Sequence, residues 1–109
     1  MPRKKQLKVN GSAITEFSVK VETVESTYDG SPIDIVDLRI FTGDDVYRYD
    51  IRKDERAPDV NATRDYIEDS LKKAKRDFLK VEISEYTERS YLFFKVQKIG
   101  QTQYTGYRL

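Results

Sequence analysis

The sequence predicts an α+β fold in which a small, mostly antiparallel β-sheet is combined with one helix. Several segments alternate apolar and polar residues with a period of two, which is typical of half-buried strands. A single segment has the helical period, and Gly, Pro and Asp residues mark turns between the segments. The 109 residues are the length of one domain. We expect residues 13–109 to form that domain and the basic residues 1–12 to be a flexible N-terminal arm.

Three strands are predicted before the helix. Residues 14–24, ITEFSVKVETV, alternate without interruption. Residues 33–41, IDIVDLRIF, change phase near Ile35, so this strand either contains a bulge there or is buried on both faces. The segment TGDD, residues 42–45, predicts a hairpin that leads into a third strand over residues 46–52.

One amphipathic helix is predicted over residues 61–77. Its apolar stripe has members three or four positions apart, at Ile67, Leu71, Ala74 and Phe78. Acidic residues lie near its start and basic residues near its end, an order that suits the helix dipole. Three residues are candidates for the N-cap: Asp59, Asn61 and Thr63.

Two further strands are predicted after the helix, over residues 79–86 and 90–98. The last residues, QYTGYRL, are expected to add a short sixth strand or an ordered tail. The element order β-β-β-α-β-β resembles that of the OB-fold, a five-stranded, partly open barrel that often binds oligonucleotides. An open sheet with the helix on one face is the alternative architecture for the same order.

The composition argues against an enzyme. The chain has no His and no Cys, which removes the commonest general base and the thiol nucleophile. No group of carboxylates has calcium-loop or two-metal spacing, and the five glycines are scattered, so we expect no catalytic residue, no metal and no cofactor. No apolar run approaches the roughly 18 residues of a membrane helix, and no secretory signal is recognisable. We therefore expect a cytoplasmic or otherwise intracellular protein that does not enter the membrane.

Charge is segregated along the chain. Residues 1–8 and 89–109 together carry eight basic residues and no acidic one. Removing those eight charges from the net charge of +1 leaves −7 for residues 9–88. Because electrostatic fields are local, the basic ends and the acidic middle suit different partners.

The segment YLFFKVQKIG, residues 91–100, places aromatic residues on both faces of a strand. Leu92, Phe94 and Val96 alternate with Tyr91, Phe93 and Lys95. The residues of the first set are all apolar, so we expect them to face the core. The second set either lines a ligand-binding surface, packs beneath the C-terminal segment, or forms a dimer interface.

The ligand that best fits such a surface is single-stranded DNA or RNA. Exposed aromatic rings stack on bases, and Lys and Arg neutralise phosphates. The predicted nucleic-acid-binding residues comprise a C-terminal set, Arg89, Tyr91, Phe93, Lys95, Lys98, Tyr104, Tyr107 and Arg108, and an N-terminal basic set, Arg3, Lys4 and Lys5.

The alternative function is that of a protein–protein interaction module, such as an inhibitor, an accessory subunit or an assembly factor. Its acidic middle, with acidic residues at the predicted turns near Asp29 and Asp44, would bind a basic surface of a partner. The aromatic face would then be an interface with that partner or with a second copy of the chain.

Overall fold

The computed structural model describes residues 3–4, 6–26, 29–53, 57–86, 91–98 and 100–107, with side chains described for 6–26, 29–53 and 57–84. The described part contains eight strands and one α-helix. In chain order these are β1 Arg3–Lys4, β2 Leu7–Asn10, a short 3-10 helix Gly11–Ala13, β3 Glu16–Glu25, β4 Pro32–Thr42, β5 Asp45–Ile51, α1 Val60–Asp77, β6 Lys80–Tyr86, β7 Tyr91–Lys98 and β8 Gly100–Tyr107. The predicted strands and the predicted helix are all present.

The strands form two four-stranded sheets. Sheet I has the order β1-β5-β4-β3, and sheet II has the order β2-β6-β7-β8. All pairings are antiparallel except the short parallel pairing of β1 with β5. The predicted α+β class with a small, mostly antiparallel sheet is thus confirmed. The OB-like barrel is not confirmed, because the strands divide between two sheets.

The second predicted strand contains no bulge. Strand β4 pairs residue for residue with β3, so that Ile35 lies opposite Glu22 and Val36 opposite Val21. The phase change in the sequence arises because this strand is buried on both faces. Ile35 is 1% exposed on one face, and Val36 and Leu38 are fully buried on the other. A strand that is buried on both faces carries apolar residues on both, so its sequence does not alternate regularly between apolar and polar residues.

One core joins the two sheets and the helix. Sheet I contributes Val19, Val36, Leu38, Ile40, Tyr49 and Ile51; sheet II contributes Leu7, Val81 and Ile83; the helix contributes Ile67, Leu71 and Ala74; Ile14 and Leu79 complete the cluster.

The helix lies beside the edge strand β3, where the Arg64 Nε donates to the main-chain oxygen of Val19 at 3.1 Å. This hydrogen bond connects the helix to the edge strand of sheet I.

Within the predicted N-terminal arm, residues 7–12 lie in strand β2 and the short 3-10 helix. Strand β2 pairs with β6, with Leu7 opposite Ile83 and Val9 opposite Val81. Leu7 is 1% exposed and belongs to the core. The short Leu-Lys-Val alternation is therefore a strand signal, although the basic residues around it obscured the pattern in the sequence.

The helix begins at Val60, one residue before the predicted start, and ends at Asp77, as predicted. Asp59 is the N-cap, and its Oδ1 accepts a hydrogen bond from the Ala62 N–H at 2.9 Å. The predicted stripe is correct for Ile67, Leu71 and Ala74, and wrong for Phe78.

Phe78 follows the last helical residue and adopts the left-handed conformation, with φ 56° and ψ 42°. This conformation turns the chain out of the helical path, so the spacing that placed Phe78 in the stripe no longer applies. Leu79, which is 9% exposed, is in the core instead. Phe78 itself is 68% exposed.

Candidate nucleic-acid interface

The described side chains on the outer face of sheet II are exposed or half-buried, and none is fully buried. Leu7, Val81 and Ile83 are buried between the sheets, so the alternate positions of β2 and β6 belong to the outer face. Of these outer residues, Lys8, Asn10 and Lys80 are exposed, whereas Glu82 and Ser84 are half-buried. This face is therefore exposed to solvent along β2 and at the start of β6.

The strand register brings three tyrosines into one row across the outer face. Tyr86 of β6 lies opposite Tyr91 of β7, which lies opposite Tyr107 of β8. Neighbouring strands are about 4.8 Å apart, so the row spans about 10 Å. Phe93 lies two residues along β7 in the same phase, between Ser84 and Thr105. The face therefore carries four aromatic positions at one end.

A row of charged positions crosses the middle of the same face. Lys8 lies opposite Glu82, which lies opposite Lys95. Lys80 lies opposite Asn10 at the far end of the sheet. The outer-face positions thus carry three basic residues and one acidic residue. Glu82, between two lysines, reduces but does not cancel their attraction for an anion.

The register separates two predicted site residues from this face. Tyr104 lies opposite Phe94, in the phase of the core-facing residues of β6 and β7. Lys98 lies opposite Gly100 and has the phase of Val96. Both residues were predicted to share a site with Tyr91 because they are close to it in the sequence. The alternation of side chains along each strand instead assigns them to the opposite face of the sheet.

Two of the predicted N-terminal site residues, Arg3 and Lys4, belong to the other sheet. Arg3 and Lys4 form β1 in sheet I, opposite Val46 and Tyr47 of β5. Lys5, Arg89 and Arg108 lie outside the described residues. Of the predicted site residues, the register therefore brings together Tyr91, Phe93, Lys95 and Tyr107.

Several members of this face escaped sequence reasoning. Tyr86 was not recognised because its cross-strand partners are set by the pairing of β6 with β7, which no local pattern shows. Lys8 was assigned to a flexible arm. The neighbour of Lys80 on this face, Asn10, is set by the pairing of β2 with β6, which no local pattern shows.

Some acidic residues in the middle of the chain are engaged in local contacts. Asp37 is 4% exposed and accepts two hydrogen bonds from the Arg39 guanidinium, at 3.3 and 3.2 Å. At the β3–β4 turn, hydrogen bonds from the Ser31 hydroxyl and N–H lower the pKa of the Asp29 carboxyl below its usual value. These carboxylates stabilise a strand and a turn.

No group of three or more acidic residues among the described residues is arranged to hold a metal ion. The helices of the described ranges lack the length and apolar character that crossing a membrane requires. Comparison with protein-family models, curated proteins and solved structures found no match to this chain.

Proposed function

We propose that this protein binds single-stranded nucleic acid on the outer face of sheet II, as a binding protein without catalytic activity. The observation that carries the proposal is the cross-strand row of Tyr86, Tyr91 and Tyr107, next to Phe93. Rings at adjacent positions form a stacking platform for successive bases. The net basic remainder of the face supplies the charge that a phosphate backbone needs.

The two kinds of residue have separate roles in this proposal. Each stacked base contributes on the order of 1–3 kcal/mol, and every base has a stacking surface, so sequence preference is weak. Lys8, Lys80 and Lys95 neutralise phosphates and set the salt dependence of binding. In a duplex the bases already stack on each other, so they are not free to stack on the aromatic rings. A duplex would therefore bind only through its charge.

The primary test is fluorescence anisotropy with labelled single-stranded and double-stranded oligonucleotides over a range of salt concentrations. We expect preference for the single strand. Neutralisation of about three phosphates predicts a slope of about −2 in a plot of log K against log salt concentration. Absence of binding at low salt would refute the proposal.

Paired variants locate the site. Tyr91→Ala is expected to weaken binding by about 1–3 kcal/mol while the thermal transition remains cooperative. Lys95→Gln is expected to weaken binding and to reduce the salt slope by about 0.7. Lys20→Gln is the matched control, because it removes the same charge from an exposed strand position in sheet I. Equal effects of the two lysine variants would place the site elsewhere.

A protein–protein interaction module is the second candidate function. The observation that favours it is the alternation of Lys8, Glu82 and Lys95 across the middle of the face. Alternating charges beside aromatic residues also suit a polar-rimmed protein interface. Light scattering over a range of concentrations distinguishes this candidate: a stable dimer that dissociates in Tyr91→Ala, with no oligonucleotide binding, would support it.

A further inference from the structure

Phe78 has two properties that its contribution to folding does not explain. Its side chain is 68% exposed, and it is the one large apolar side chain that is exposed among the residues with described side chains. Its backbone is in the left-handed region, with φ 56°, which favours glycine and is unfavourable for a residue with a Cβ. Glycine at this helix end would relieve the strain and expose no ring to water.

Phe78 lies at the end of the outer face of sheet II that is farthest from the tyrosine row. The side-chain amide of Asn10, an outer-face residue, donates to the Phe78 main-chain oxygen at 2.8 Å. Lys80, the first residue of β6 and an exposed outer-face residue, follows two positions later. The tyrosine row begins at the other end of the same strand, at Tyr86.

The surroundings of Phe78 are basic. Lys75 and Arg76 occupy the last turn of the helix. Lys75 reaches the Thr15 main-chain oxygen at 3.3 Å, and Arg76 pairs with Asp77 at 3.0 Å. With Lys80 these residues give three basic groups and one acidic group within three positions of Phe78 in the sequence. This charge complements a phosphate backbone and does not complement a basic protein surface.

We propose that Phe78 is a second stacking platform, which holds a base at the far end of a single strand running along β6. This inference rests on the proposed function and defines the extent of that site. From Lys80 to Tyr86 the strand rises about 20 Å, at about 3.3 Å per residue. A single strand that contacts both ends is within the about 4–16 nucleotides that one single-strand-binding domain covers.

A tryptophan at position 78 gives a direct signal. The chain contains no tryptophan, so Phe78→Trp carries a single indole whose fluorescence is quenched when a base stacks on it. We expect an oligothymidylate of about 12 nucleotides, within the usual site-size range, to quench this fluorescence in parallel with its anisotropy binding curve. Thr23→Trp, at an exposed position of β3 in sheet I, is the control and is expected to show no quenching.

Removal of the ring tests its contribution to affinity. Phe78→Gly and Phe78→Ala are both expected to weaken oligothymidylate binding by about 5-fold or more, and Phe78→Trp to retain it. Phe78→Gly has no strain at this position, so a loss of affinity in a variant as stable as the parent protein comes from the missing ring.

The outcomes separate this inference from the proposed function. If the parent protein binds and Tyr91→Ala weakens binding, but Phe78→Gly binds equally well and Phe78→Trp is not quenched, the second platform does not exist and the tyrosine row stands. If the parent protein does not bind the oligonucleotide at all, the proposed function fails, and the second platform fails with it.

Discussion

Replacement of Gly11 by alanine is expected to separate the short 3-10 helix from the end of α1. A Cβ atom at this position would lie 2.2 Å from the Ala74 main-chain oxygen, 2.4 Å from its carbonyl carbon and 2.8 Å from the Lys75 nitrogen. These are backbone atoms in the last turns of the helix, so no side-chain rotation relieves the overlap. The shortest of these distances is about 1 Å or more below a normal contact.

The cost follows from two interactions at the same place. Forcing an extra carbon into a packed site costs about 1–3 kcal/mol. The Gly11 N–H also donates to the Leu79 oxygen at 2.7 Å, a bond that the displaced chain would lose at about 0.5–1.5 kcal/mol. Together these effects lower the free energy of unfolding by about 1.5–4.5 kcal/mol. At about 4 °C per kcal/mol for a domain of this size, Tm falls by about 6–18 °C.

Thermal and urea unfolding followed by circular dichroism measure this change. Ser12→Ala, in the same turn and exposed to solvent, is the control and is expected to stay within about 0.5 kcal/mol of the parent protein. Amide chemical shifts of Ala74 and Lys75 should change in Gly11→Ala and not in the control. A Gly11→Ala variant as stable as the parent protein would refute the close approach of these two elements.

Three further predictions concern stability. Phe78→Gly is expected to be more stable than Phe78→Ala by about 1 kcal/mol in urea unfolding, because only glycine is free of strain at this φ; equal stability would contradict the left-handed conformation. Arg39→Leu should lower Tm more than Arg48→Leu, its cross-strand neighbour, because it leaves the buried Asp37 carboxylate without the guanidinium; equal Tm values would show that this ion pair is dispensable. Asp59→Ala should cost about 1 kcal/mol, whereas Asp59→Asn, which keeps the oxygen acceptor of the N-cap, should cost less than half of that; the same loss in both variants would argue against the cap.

The candidate site was only partly accessible from the sequence. Tyr91, Phe93 and Lys95 share a phase because they alternate along one strand, and a local period of two is sufficient to show it. That Tyr107 belongs with them, and that Tyr104 does not, depends on the register of β7 with β8. A shift of one residue in that pairing would exchange the two tyrosines.

The sequence by itself determined the elements of this protein. Period-two alternation and a single helical stripe depend on neighbours along the chain, so the strands, the helix and the α+β class follow from local patterns. The charge at each position is likewise fixed by the sequence alone.

Only the tertiary structure decided how those elements are combined. The division into two sheets, the burial of β4 on both faces, the incorporation of β2 and the alignment of Tyr86 with Tyr91 all arise from pairing between distant segments. The exposure of Phe78 depends on one backbone conformation at the helix end, which the periodicity of the helix does not encode. Pairing partners and conformations of this kind are selected by packing of the whole chain, and for that reason local patterns in the sequence do not determine them.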